Sequence, residues 1–461
     1  MTAEARWRLA LAAYALVQMV LRVLIGPSLE LDEAEAFLHG QRLAWGYGPQ
    51  PPLYFWLQWG FIQALGPTIL ALAALKAVLL GGTLILAFEL MRRAVPTAPA
   101  AVAAMSLSLL PQVLWESQRA LTNSVLALAL AVAVALLFLV MLERGRRRDG
   151  LLWGAVAGLA VLGKANAAVW AGGLLLAAAL DPSWRGRLRP GALAAAGLAA
   201  GAVLAGPLAW MLLNPDLATA SAGKFGLAPS GLAARIEGLG SLLLATLSFL
   251  APAILVIGGT LLLGRSPGAR VAAVPPLRLL ARAAALSLLL VAAGVLLSGA
   301  TAVKDRWLLP FAWPLAPVAV AAIWPALTER ARTWLLGATG GLWLLAAALL
   351  PYASLVDPGY RGADWSGLAQ ALREEGAPGL SVETTSTFAA GNLAFHGFGL
   401  GERYLARPED LSGEAALLLV PADSSLRDDP SIAARTRRVR EVEVPRSDRP
   451  VPFAILLLGP A

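Results

Sequence analysis

Leu31-Asp32-Glu33-Ala34-Glu35 comes directly after an apolar run over residues 9–25, and Gly48-Pro49-Gln50-Pro51-Pro52-Leu53-Tyr54 follows soon after. Three carboxylates therefore stand where a membrane-length segment has just ended. Charge at the edge of a bilayer is costly unless it is solvated, paired or used. Which of these holds for Asp32, Glu33 and Glu35 governs how the rest of the chain is read.

The 461 residues are 58% hydrophobic and only 14% charged, with a mean hydropathy of +0.68. Those values exclude an ordinary soluble domain and define an integral membrane protein. The run 9–25 follows Arg6 and Arg8 but has no small-residue cleavage site behind it, so it reads as a retained first span. With no cysteine there are no disulfides, thiolate metal sites or cysteine nucleophiles, and two histidines, His39 and His396, do not make a histidine metal cluster. The net charge of +8 comes mainly from arginines scattered between apolar runs. Topology accounts for them better than a nucleic-acid partner does.

Crossing ~30 Å of hydrocarbon takes about 20 apolar residues. On that basis spans are predicted at 9–25, 68–90, 97–111, 121–142, 151–163, 166–180, 191–213, 236–263, 282–300, 308–327 and 333–353, eleven in all, the fifth and sixth being short. With a cytoplasmic N-terminus the inner loops collect Arg92, Arg93, Arg144, Arg146, Arg147, Arg148, Arg185, Arg187, Arg189, Arg265, Arg270, Arg278, Arg330 and Arg332. The outer loops hold fewer basic residues, chiefly Arg42, Arg119, Lys164, Lys224, Arg235, Lys304 and Arg306. This asymmetry puts the C-terminus outside. Residues 1–353 form the membrane domain, with a first outer loop over 26–67 that carries interfacial helices. Residues 354–461 read as a soluble α/β domain on the outer face, with helices at 364–375 and 387–395 and strands at 380–384, 415–420 and 453–458. No internal repeat of the inverted-transporter kind is evident.

Once sides are assigned, the rare polar groups gather on one of them. Asp32, Glu33 and Glu35 lie in the first outer loop, Glu116 and Arg119 in the second, Lys164 in the third, and Lys304, Asp305 and Arg306 in the fifth. Cations there can neutralise a lipid phosphate while a carboxylate takes a proton from a hydroxyl. The bland alternative is that loop charges at an interface are simply solvated. Asp32 stands apart because residues 31–42 can form an amphipathic helix, with Phe37 and Leu38 in the interface and Asp32 and Glu35 on one side, Glu33 off it. Pro51 and Pro52 then impose an extended connection. Tyr54, Trp56 and Trp59 follow, and an aromatic belt explains the two tryptophans well. Lys164, in Gly163-Lys164-Ala165-Asn166, interrupts a long apolar stretch and is expected to line a polar cavity. Lys76, inside the second span, fits a snorkelling lysine equally well.

Several of these phrases resemble the GT-C superfamily of polyprenyl-phosphate-sugar glycosyltransferases, in particular its bacterial branch related to protein O-mannosyltransferases and to the aminoarabinose transferases of lipid A. The matching phrases are Asp32-Glu33-Ala34, Pro51-Pro52-Leu53-Tyr54, Leu121-Thr122-Asn123, the run from Gly158 to Lys164, Arg306-Trp307-Leu308-Leu309-Pro310 and the run from Ala389 to Phe395. The resemblance implies a GT-C-like membrane domain in which Asp32 is the general base and Lys164 and Arg306, with Lys304 behind them, hold the lipid-linked phosphate. Glu33, Gln50, Tyr54, Glu116 and Arg119 are further candidates for binding substrate. The chain departs from the family pattern twice: Gln50 stands where histidine or lysine is common before the Pro-Pro pair, and Asn123 where Thr-Asp is common.

The function this implies is inverting transfer of a monosaccharide from an undecaprenyl-type polyprenyl phosphate to a hydroxyl of a lipid, glycan or protein. Transfer would take place on the periplasmic or extracellular side of a bacterial inner membrane. A divalent metal, Mg or Mn, is compatible with the hard oxygens of Asp32, Glu33 and Glu116, although no ligand cluster requires one. Two rivals remain: a lipid or glycan transporter, which would place charges at mid-membrane, and an inactive scaffold of envelope assembly, suggested by Gln50 and Asn123.

Overall fold

The computed structural model describes the 461-residue chain apart from residues 228–230, 267–270, 273, 358, 377–380, 398–401, 406–407, 415, 447–448 and 461. Arg270, Leu380 and Ala415, which figure in the expectations above, lie outside the described residues. The residues fall into two compact units. One comprises Met1–Gln18, Ala44–Tyr54 and Lys76–Ala347, the other Met19–Leu43, Phe55–Leu75 and Ala348–Ala461. The C-terminal tail thus shares its unit with most of the loop that carries the opening carboxylates.

All eleven predicted segments are helical. Among the described residues eight helices are long and apolar enough to cross a membrane, or nine if the bent pair Thr97–Leu109 and Gln112–Arg119 is one span. Arg147–Gly163 and Ala167–Leu180, of 17 and 14 residues, reach about 25 and 21 Å at ~1.5 Å per residue, less than the hydrocarbon thickness. The third segment, predicted at 97–111, ends in a sharp break, with Thr97–Leu109 and Gln112–Arg119 bent by 81°. The cause is local. Pro111 forces Leu110 out of the helical region, at φ −94° and ψ 118°, and the chain resumes as a π-helical turn over Gln112–Glu116. Such turns often accompany functional sites.

The first unit is held together by small residues where lipid offers no hydrophobic incentive for helices to associate. Gly150, Gly154 and Gly158, spaced by four, lie along one face of Arg147–Gly163 against Pro190–Leu213. A Cβ on Gly150 would come within 2.1 Å of the Ala192 carbonyl oxygen, and one on Gly154 within 2.0 Å of that of Ala196. Only glycine permits that approach. The buried Trp170 and Trp313 meet edge to face at 5.9 Å, and the Trp170 indole N–H donates to the Ala131 carbonyl at 2.9 Å. This packing fixes where Arg147–Gly163 ends, and with it the position of Lys164.

The second unit contains a five-stranded sheet: β1 (Ser381–Thr384), β2 (Glu402–Tyr404), β3 (Ala416–Pro421), β4 (Thr436–Val444) and β5 (Val451–Leu458), in the order β2-β1-β3-β5-β4. β1 runs parallel to β2 and β3, whereas β5 runs antiparallel to β3 and β4. β3 is central, and the buried run Ala416-Leu417-Leu418-Leu419-Val420 is what a strand covered on both faces requires. The helix Thr387–Phe395 connects β1 to β2 and starts with Ser386 accepting from the Ala389 N–H. It packs against the helix Leu31–His39 of the same unit.

Candidate active site

In the second unit, Asp32 and Glu35 lie half-exposed on Leu31–His39, while Glu33 is turned inward at 2% exposure. The division of the three carboxylates between two faces follows helical spacing. Glu33, expected to bind substrate, has its oxygens engaged within the protein. Arg22 grips them as a fork, Nε to Oε1 at 2.7 Å and Nη2 to Oε2 at 2.7 Å. Arg361 adds a contact at 2.9 Å, and the Glu30 N–H donates to Oε2 at 3.1 Å. Arg22 and Arg361 are themselves 6% and 5% exposed. A buried charge needs this degree of pairing, and two-point Arg–carboxylate geometry is the strong form of it. Phe37, expected in the membrane interface, is instead buried and meets Phe395 edge to face at 5.1 Å.

Tail residues hold the chain leading into this helix. Asn392 is fully buried. Its Oδ1 accepts from the Leu29 N–H at 2.9 Å, and its Nδ2 donates to the Leu29 carbonyl at 3.3 Å. Ser28 donates from its N–H to the Arg361 carbonyl at 3.0 Å and from its hydroxyl to the Ala363 carbonyl at 2.8 Å. The His396 Nε2, 2.9 Å from that hydroxyl oxygen, is then the donor to it. A Cβ on Gly391 would lie 2.3 Å from the Ala34 carbonyl oxygen, so glycine is what lets the two helices close. His39, buried at the end of Leu31–His39, contacts the rings of Phe55 and Tyr404. Burial, with the charge of Arg42, pushes its pKa down to about 4. Burial and the nearby Glu35 raise that of Tyr404.

In the first unit the expected basic residues converge in part. The Lys164 ammonium donates to the Ser124 hydroxyl at 2.9 Å and to the Arg306 carbonyl at 3.2 Å. Asn166 Nδ2 donates to the Trp307 carbonyl at 2.6 Å. Asp305 accepts from Gln112 Nε2 at 2.7 Å and from the Arg306 N–H at 2.6 Å. Four segments distant in sequence are thereby tied together, with the side chains of Lys304 and Arg306 left exposed. Gln50 is bound to Asn123, whose Nδ2 donates to Gln50 Oε1 at 3.3 Å. Arg119 is exposed, its guanidinium 5.6 Å from the Trp115 ring centroid. Glu116 is half-buried on the π-helical turn. Tyr54, expected to bind substrate, is buried at 1% exposure. An apolar cavity of about 260 Å³ takes Gln50, Pro51, Pro52, Leu162, Ala165 and Trp210 into its wall.

Sequence reasoning missed Ser124, Gln112, Arg22 and Arg361, and named Asn166 and Asn392 only within longer phrases. Asn166 and Arg22 carried a signal, being polar residues in or beside apolar runs. The others are recognised only by their partners. Among the described residues no group of three or more His, Asp or Glu side chains comes together as a metal site.

The helical membrane architecture with a small mixed-sheet domain is a GT-C fold. ArnT from Cupriavidus metallidurans, solved bound to undecaprenyl phosphate, superposes over 98% of both chains with a TM-score of 0.65 at 14% identity. Residues 49–210 match the family described as dolichyl-phosphate-mannose-protein mannosyltransferase. The chain is 33% identical over 313 residues to the lipopolysaccharide core galacturonosyltransferase RgtA of Rhizobium johnstonii, covering 66% of this chain and 61% of that protein. It is 34% identical over 314 residues to RgtB of the same organism, covering 65% and 61%. The match therefore spans about three fifths of the length of each of these relatives. The chain is thus similar in fold to a GT-C enzyme and, over residues 49–210, similar in sequence to the mannosyltransferase family.

Proposed function

We propose that this protein is an inverting membrane glycosyltransferase that moves a monosaccharide from a polyprenyl-phosphate donor to an acceptor hydroxyl. The observation that carries the reading is the Lys164 ammonium, held by Ser124 and the Arg306 backbone at the junction of loops remote in sequence. A fixed cation with exposed Arg306 and Lys304 nearby in the chain suits a phosphate whose negative charge grows as it leaves. Preorganised charge of this kind lowers a barrier without reorganising during the reaction.

In the proposed step the acceptor oxygen bonds to the anomeric carbon from the face opposite the phosphate, and the bond from that carbon to the phosphate oxygen breaks. Asp32 takes the hydroxyl proton. The polyprenyl phosphate departs with the electron pair, neutralised by Lys164 and Arg306. The apolar cavity walled by Pro52, Leu162 and Trp210 suits the first isoprene units of the carrier. No step is assigned to a divalent cation, and Glu33, engaged by two arginines, offers it no ligand. The reacting face is outer, with a cytoplasmic N-terminus in a bacterial inner membrane. The names of the relatives and of the solved structure support a galacturonosyl donor, an undecaprenyl carrier and a lipopolysaccharide core acceptor as the first to test.

The test is transfer by purified protein in proteoliposomes from such donors to isolated core glycolipid, read by mass spectrometry. Lys164→Ala is expected to lower kcat by roughly 10²- to 10³-fold. Transfer at the wild-type rate by that variant would remove the phosphate assignment.

A further inference from the structure

The second unit contains more tail-derived contacts to the chain around Leu31–His39 than a tethered accessory domain needs. Arg361 brings a second guanidinium to Glu33, one residue from Asp32. Asn392 pairs with both backbone groups of Leu29, three residues before Asp32. Gly391 admits the Thr387–Phe395 helix to the Ala34 carbonyl, two residues after it. Ser28 is held twice, by the Arg361 and Ala363 carbonyls. These contacts bracket Asp32 on both sides in sequence, and all come from residues 361–396.

We propose that the C-terminal domain is part of the catalytic apparatus, with Asn392 and Arg361 as positioning residues that fix the Leu31–His39 helix and so aim the Asp32 carboxylate at the acceptor hydroxyl. This rests on Asp32 being the general base. The physical ground is that proton abstraction needs the base within hydrogen-bond reach, and a displacement of about 1 Å can cost 10²-fold in rate. A nine-residue helix is too short to hold its own geometry in water or at an interface. The buried Arg22–Glu33–Arg361 group and the Asn392 clamp supply the missing constraint. The domain's sheet gives Asn392 a rigid base, since Thr387–Phe395 is anchored between β1 and β2.

The test combines hydrogen exchange with kinetics on the full-length protein in nanodiscs, using Asn392→Ala and, should that variant fail to fold, Arg361→Lys. Expected results are faster deuterium uptake over residues 29–39, a kcat lowered roughly ten- to a hundredfold with donor KM within about twofold, and no further loss when the variant is combined with Asp32→Asn. Unchanged uptake overturns the clamp. Faster uptake with an unchanged kcat overturns the positioning role. A loss that adds fully to that of Asp32→Asn shows a merely structural effect and also overturns it. Wild-type activity in Asp32→Asn alone removes the base assignment instead, and the uptake data then still decide whether the clamp exists.

Discussion

Gln50 and Asn123, the two positions at which the chain departs from the pattern it otherwise resembles, are hydrogen-bonded to each other, Asn123 Nδ2 to Gln50 Oε1 at 3.3 Å. The two positions are thus in direct contact. They form a neutral amide pair of which Gln50 stands in the wall of the apolar cavity.

Coupling between the two follows. Gln50→Lys alone puts an ammonium beside apolar wall residues, and Asn123→Asp alone leaves a carboxylate facing an amide oxygen. Each is expected to cost about 1–3 kcal/mol, with the double variant recovering at least half, as contacting residues couple by 0.5–3 kcal/mol. Thermal unfolding of the four proteins in detergent measures this, and additive losses would deny the pairing a role.

Ser124 holds the Lys164 ammonium, so Ser124→Ala is expected to weaken transfer less than Lys164→Ala, by about tenfold, and to raise donor KM. Steady-state kinetics with varied donor checks the order. A Ser124→Ala protein more impaired than Lys164→Ala would point to a direct role for the hydroxyl.

Gly154 faces the Ala196 carbonyl at a distance that leaves no room for a methyl group. Gly154→Leu is expected to force Arg147–Gly163 away from Pro190–Leu213 at a cost of several kcal/mol, above the 1–3 kcal/mol usual for overpacking because backbone is what it meets. Loss of monodisperse protein in size-exclusion chromatography would report it, whereas Gly197→Leu, with open space around the Cβ, should be tolerated.

His39 makes the second unit pH-sensitive. Its pKa lies near 4 folded against 6.5 in its ordinary state, so the unfolded chain binds the proton more tightly. Its contribution is fully present above about pH 6.5 and is lost as pH falls towards 4, by up to about 3 kcal/mol. His396, also lowered by burial against an opposing pull from Asp364, adds in the same sense. Melting temperatures from pH 7.5 to 4.5 should fall less steeply for His39→Phe than for the wild type. Parallel curves would exclude His39 as the cause.

The helical spans were legible because uninterrupted apolar runs of membrane length have few other uses, and β3 and β5 because both are short continuous apolar runs. β4 was not. Thr436-Arg437-Arg438-Val439-Arg440-Glu441-Val442-Glu443-Val444 is an edge strand whose first half is charged on both faces, so alternation shows only late. The bend at Pro111 was hidden inside an apolar run. Asp32 and Lys164 could be singled out because charge near a bilayer needs a reason. The burial of Glu33 could not, since Arg361 lies 328 residues away and nothing local marks it as the partner.

The most direct measurement is transfer from a polyprenyl-phosphate sugar in proteoliposomes by wild type and Asp32→Asn at equal folded amounts, with the product's anomeric configuration read by NMR. Loss of about 10²- to 10⁴-fold in Asp32→Asn, together with inversion in the wild-type product, is the expected result. Wild-type rates in the variant, or a product with retained configuration, would contradict the role given to Asp32.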